Sequence, residues 1–187
     1  MKKILTLLLL TALTSTLAKN KIIDFNQKKG LKADEGIVVL IIDINFRISK
    51  ISLGKSGKIF PVYSMKKLRP GTQMKIIKLK EGKYHWKEGT GRTGTTTYSF
   101  EIDEEPTSFV VEAGKTNYPG YLEFRGWLNN NNDVTYSYNM INNSLKVFEF
   151  MKANYSSLIE KYPLVYSGDT PDPFLEYNEQ LDQDSDH

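Results

Sequence analysis

Gly36-Ile37-Val38-Val39-Leu40-Ile41-Ile42-Asp43 is an uninterrupted, mostly β-branched run. Branching at Cβ stiffens χ1 and suits extended backbone. A run with no polar alternation belongs to a strand buried on both faces. A chain built around such a strand must cover it from two sides.

The flanking segments are shorter and bounded by turn residues. Ile48 to Leu53 alternates, Gly54-Lys55-Ser56-Gly57 reads as a turn, and Ile59 to Met65 reads as the next strand. Met74, Ile76 and Leu79 alternate with Lys75, Lys78 and Lys80, which predicts a strand with one basic face. Glu81-Gly82 turns the chain into Lys83-Tyr84-His85-Trp86-Lys87. Further strands are expected over Thr95 to Ile102, Ser108 to Glu112, Tyr118 to Trp127 and Thr135 to Tyr138. About eight or nine strands at this spacing predict a mainly-β chain, an antiparallel β-sandwich over residues 36–141. Leu145, Phe148, Met151, Tyr155, Leu158 and Tyr162 recur every three or four residues, with Ser144 as N-cap and Pro163 as stop. They predict one helix within 142–163, packed on the sandwich. Residues 19–35 read as a polar leader segment with at most a short edge strand at Ile22-Ile23. Residues 164–187, rich in Asp, Gln and Pro, read as a disordered acidic tail.

Residues 1–18 have a different character. Met1-Lys2-Lys3 is basic, Ile4 to Leu13 is nearly all apolar, and Thr16-Leu17-Ala18 places small side chains where a signal peptidase needs them. A secretory signal cut between Ala18 and Lys19 is expected, with the product periplasmic or secreted from a bacterium. The rival reading, an uncleaved anchor, requires about 20 apolar residues to span a bilayer, more than this run has. No later run approaches that length, so no membrane span is expected in the mature chain. The sequence has no cysteine, so disulfides, thiol nucleophiles, zinc-thiolate sites and a lipid anchor on cysteine are all ruled out.

Charge is unevenly placed. Thirteen Lys and Arg between Arg47 and Arg92 meet only Glu81 and Glu88, whereas from Thr93 onward five Lys and Arg meet sixteen Asp and Glu. The basic segment could form an exposed patch for an anionic polymer. Alternatively, strands from the two halves pair and the charges cancel across the sheet, which the spacing of the lysines favours. Nucleic acid is not an expected partner.

Motifs for chemistry are weak. Gly89-Thr90-Gly91-Arg92-Thr93-Gly94 spells G-x-G-x-x-G, but a strand-forming run follows where a dinucleotide site needs a helix, so a loose hairpin loop is expected. His85 and His187 are the only histidines, and no serine sits in a nucleophile elbow. Asp103-Glu104-Glu105, Gly168 to Asp172 and Asp182 to Asp186 lack calcium-loop spacing and read as solvated charge. No enzyme activity, cofactor or metal is expected. Aromatic residues are the remaining signal, and Tyr118, Tyr121 and Trp127, set among glycines and a proline, are the candidate ligand-binding surface.

Two stretches carry a resemblance. Leu79-Lys80-Glu81-Gly82-Lys83-Tyr84 is like an L-x-x-G-x-Y hairpin, and Phe109 to Gly120 is like an F-x-V-x-x-G-K-x-N-Y-x-G strand-turn-strand. On these residues, Gly36 to about Gly126 resembles exported bacterial domains of unknown function with a prealbumin-like, or carboxypeptidase-regulatory-like, sandwich. The resemblance implies a fold and an accessory, binding or adhesion role, with no catalytic residues. The expected function is thus a non-enzymatic structural or interaction module of the periplasm or envelope, its partner an envelope protein or glycan. The alternatives are a lectin-like domain using exposed aromatics and an anionic-polymer-binding surface.

Overall fold

The computed structural model describes residues 22–25, 29–93, 96–128 and 134–169. The Ala18–Lys19 cleavage point and residues 170–187 of the tail lie outside them. The described chain is mainly β, with two sheets and one C-terminal helix.

The larger sheet is built on β1 (Glu35–Ile44), which contains the β-branched run Gly36 to Asp43. One edge of β1 pairs antiparallel with β4 (Gly71–Lys80). The other edge pairs in parallel first with β8 (Thr116–Tyr118) and then with β9 (Tyr121–Leu128). Between them Gly120 takes φ +102°, a left-handed conformation that glycine adopts without a Cβ penalty. β10 (Val134–Ile141) flanks β9 antiparallel, and β11 (Leu164–Tyr166) flanks β8 in parallel. The smaller sheet contains β2 (Ile48–Lys55), β3 (Tyr63–Leu68), β5 (Gly82–Thr93), β6 (Thr96–Glu101) and β7 (Ser108–Val111). The strands thus number eleven among the described residues, and the larger sheet is mixed.

The two faces of β1 are covered differently. Val38, Leu40, Ile42 and Ile44 face the smaller sheet and pack with Ile51, Leu53, Trp86, Phe100, Phe109 and Phe124. Ile37, Val39 and Ile41 face outward into a second cluster with Val147 and Met151 of α1 (Ser144–Lys161). The helix therefore forms a third layer, and β1 is buried from both sides as its composition requires. Five of the six stripe residues, Phe148, Met151, Tyr155, Leu158 and Tyr162, pack on this second cluster, while Leu145 is half-exposed and Val147 takes its place at the start of the helix. Asn143, not Ser144, is the N-cap residue, and Asn142 Oδ1 accepts from both Ser144 N–H and Ser144 Oγ–H.

Other local readings change for identifiable reasons. Ile59 and Phe60 precede β3, which starts only at Tyr63 after Pro61. Gly54 and Lys55 end β2, so the turn is Ser56-Gly57, with Gly57 at φ +77°. Gly89 and Gly91 lie inside β5; a Cβ there would stand 2.2 Å from Phe100 Cζ and 2.1 Å from Tyr98 Cζ. These glycines seat aromatic rings of β6 rather than forming a loop. Ala113-Gly114-Lys115 does turn, but it carries the chain from β7 in one sheet to β8 in the other. The start of the acidic tail is ordered backbone: Ser167 N–H donates to Tyr118 O at 2.9 Å and Val110 N–H to Ser167 O at 3.0 Å, linking the sheets. Ile23 forms a parallel bridge to Ile76, the short edge pairing expected of the leader.

Candidate ligand-binding face

α1 covers only part of the outer face of the larger sheet. The covered part holds Ile37, Val39, Tyr118 and Ile76. Further along β1 the outward position passes to Asp43, and along β9 the outward residues are Tyr121, Glu123, Arg125 and Trp127. Leu122 and Phe124 point into the sandwich between them, because successive side chains on a strand alternate. In register with Tyr121, Glu123, Arg125 and Trp127 stand Ile141, Asn139, Ser137 and Thr135 of β10.

Arg125 organises this face. Its Nη2 lies 2.5 Å from Asp43 Oδ2 and 2.6 Å from Glu123 Oε1, and its Nη1 donates to Asp43 O at 3.0 Å. Thr72 Oγ donates to Asp43 Oδ1 at 3.0 Å from the opposite edge of β1. The guanidinium fork and two carboxylates make a charge-assisted network across β1 and β9, and the Thr72 hydroxyl extends it to β4. The Asp43 hydrogen bond raises the Arg125 pKa further, and burial, reinforced by Asp43, pushes the Tyr121 phenol up. Both groups therefore keep their protons. Beside the network Trp127 exposes half of its surface. Asn45 clamps the end of β9: its Nδ2 donates to Gly126 O at 3.0 Å and its Oδ1 accepts Gly126 N–H at 2.8 Å.

The three aromatic candidates do not act together. Tyr118 is fully buried, its ring 6.0 Å from that of Tyr166, so it leaves the candidate surface as a core residue. Tyr121 is half-buried at the helix margin, and Trp127 is open. The residues missed from sequence are Asp43, Glu123, Arg125 and Thr72. Alternation of Glu123 and Arg125 with Leu122 and Phe124 marked them as outward, but nothing local brings Asp43 or Thr72 to them.

His85 lies on the outer face of the smaller sheet, buried against Gly54, whose Cβ would stand 2.6 Å from its Nε2. Its Nδ1 is 3.6 Å from Glu104 Oε1, which accepts from Ser56 Oγ at 2.8 Å. The paired Ser108 donates from Oγ to Asp169 Oδ2 at 2.8 Å. Burial lowers the His85 pKa more strongly than Glu104 raises it, with Lys87 and Lys83 adding to the drop. The cluster pins two loops and the chain after β11 onto the sheet.

The basic segment does not form one face of β4. Ile77 and Leu79 point into the sandwich while Lys78 and Lys80 share the outer side with Ile76. Lys80 Nζ meets Asp34 Oδ2 at 2.7 Å and Lys50 Nζ meets Glu88 Oε1 at 3.6 Å. Both carboxylates precede Thr93, so these lysines are not cancelled by the acidic C-terminal half. No helix among the described residues is long and apolar enough to cross a membrane. Comparison with protein-family models, curated proteins and solved structures finds no match.

Proposed function

We propose that this chain is an exported, non-enzymatic interaction module of a bacterial envelope, periplasmic or released, that binds a glycan on the uncovered face of its larger sheet. The observation that carries the reading is the Asp43–Arg125–Glu123 network held on an open sheet face beside the half-exposed Trp127. Sugars present axial C–H groups to an aromatic ring and hydroxyls to fixed, charge-assisted partners, and this face offers both. Its class is that of an accessory sandwich domain, in keeping with the prealbumin-like resemblance and the signal-like leader. Glycan is the partner we favour over an envelope protein, because the face is small, polar and centred on one ring.

Trp86 is buried and Trp127 exposed, so a glycan-induced change in tryptophan emission reports on Trp127. Titration with soluble peptidoglycan fragments and neutral oligosaccharides should shift that emission, and Trp127→Ala should abolish the shift while weakening binding by about two- to tenfold. An emission unchanged across the set, or calorimetric affinity unaltered in Trp127→Ala, defeats the glycan reading. Export is checked by mass: the product should begin at Lys19, and an intact Met1 on membrane-bound protein contradicts it.

A further inference from the structure

The segment between β2 and β3, Lys58-Ile59-Phe60-Pro61-Val62, leaves Ile59 82% and Phe60 79% exposed. Its backbone is held in place: Lys58 N–H donates to Lys55 O and Val62 N–H to Leu53 O, each at 2.9 Å, while Lys87 Nζ donates to Ile59 O. Two adjacent large apolar side chains thus project from a fixed turn into water, which is unusual for an unoccupied surface. Together with Leu79 and Tyr84 the segment borders an open cleft of about 540 Å³ lined by Lys55, Lys58, Lys78, Lys80 and Glu35. Lys80 is paired with Asp34, which leaves Lys55, Lys58 and Lys78 against Glu35. Lys55 rests on Glu81 O at 2.7 Å and Lys78 on Gly30 O. A carbonyl orients an ammonium without cancelling its charge, so the apolar tip is ringed by net positive potential.

We infer that this turn is an anchor for an anionic lipid surface. Ile59 and Phe60 would enter the headgroup–acyl boundary while Lys55, Lys58 and Lys78 meet lipid phosphates, the combination of apolar insertion and basic rim that interfacial binding requires. An acidic soluble partner would match the lysines but offers no acyl layer for two projecting side chains. The turn lies near the Glu35 end of β1 and the glycan face near Asp43. Eight residues of strand at about 3.3 Å each separate the two ends by roughly 26 Å. The inference stands apart from the glycan reading, and each survives failure of the other.

The sequence contains no cysteine, so Ile59→Cys in the full chain carries the only thiol and takes an environment-sensitive fluorophore. Vesicles of phosphatidylcholine with phosphatidylglycerol should shift its emission to the blue and expose it to a lipid-borne quencher. Pure phosphatidylcholine vesicles should do so weakly. The same label on Leu145→Cys, at an exposed position of the helix, should shift far less, and an equal shift at both positions would show that the N-terminal leader rather than the turn makes the contact and would overturn the inference. In unlabelled protein Phe60→Ser should lower anionic-vesicle partitioning about tenfold, and Lys58→Gln about fivefold. No shift with anionic vesicles, an equal shift with pure phosphatidylcholine, or a shift produced only by a dispersed single-chain amphiphile or an acidic protein would each overturn the inference. Unchanged thermal melts for both variants, at exposed positions, confirm that folding is intact.

Discussion

Asn117 is fully buried where the chain crosses from the smaller sheet to the larger, and Asn117→Ala tests whether its amide holds that crossover. Its Oδ1 accepts Glu112 N–H at 2.9 Å, and its Nδ2 donates to Ile37 O and Glu112 O at 3.0 Å each, with Lys115 O at 3.3 Å. The amide fits because residue 36 is glycine: a Cβ there would stand 2.7 Å from Asn117 Nδ2 and 2.3 Å from Glu112 O. Alanine removes the three shorter hydrogen bonds and supplies no substitute. At about 1 kcal/mol for each, the loss is about 3 kcal/mol. For a domain of this size that corresponds to a melting point lower by roughly 6–12 °C. Urea unfolding followed by the fluorescence of buried Trp86 should show a lower midpoint with an unchanged slope, since the surface exposed on unfolding is the same. Asn117→Asp should be worse at neutral pH, because a carboxylate oxygen would then face carbonyls where Nδ2 now donates, and should improve as acid protonates it. A loss below about 1 kcal/mol in Asn117→Ala would refute the argument, because the crossover would then be held without the amide.

Two further outcomes follow from burial elsewhere. The folded-state pKa of His85 is depressed below its ordinary value of 6.5, so on acidification the unfolded chain takes up the proton first and the folded state loses stability as pH falls below 6.5. The slope attributable to this one proton is at most about 1.4 kcal/mol per pH unit, and His85→Gln should remove it; an unchanged pH profile in that variant rejects the assignment. Gly89→Ala would drive a methyl into the Phe100 ring, costing about 1–3 kcal/mol, and Phe100→Leu in the same chain should restore part of the loss. Equal stability of Gly89→Ala and the parent in a thermal melt would show that the ring moves freely.

How far this architecture is legible in the sequence depends on the range of the interactions involved. Period and composition are local, so β1 reads as doubly buried from its β-branched run, the helix from its recurring apolar positions, and the outward places of Glu123 and Arg125 from their alternation with Leu122 and Phe124. Glycines were ambiguous: Gly89 and Gly91 look like loop residues because a strand's need for space comes from rings on another strand. Strand partners were also hidden. β7 and β8 flank one turn yet join different sheets, and β9 lies parallel to β1, because pairing is chosen by the burial of both faces over the whole domain. Tyr118 and Trp127 are alike as aromatic residues near glycine, but the helix and β11 cover one and leave the other open. The same holds for the candidate site. Asp43 closed the apolar run as an apparent strand end, and only the parallel pairing of β1 with β9 brings its carboxylate to Arg125, some eighty residues along the chain.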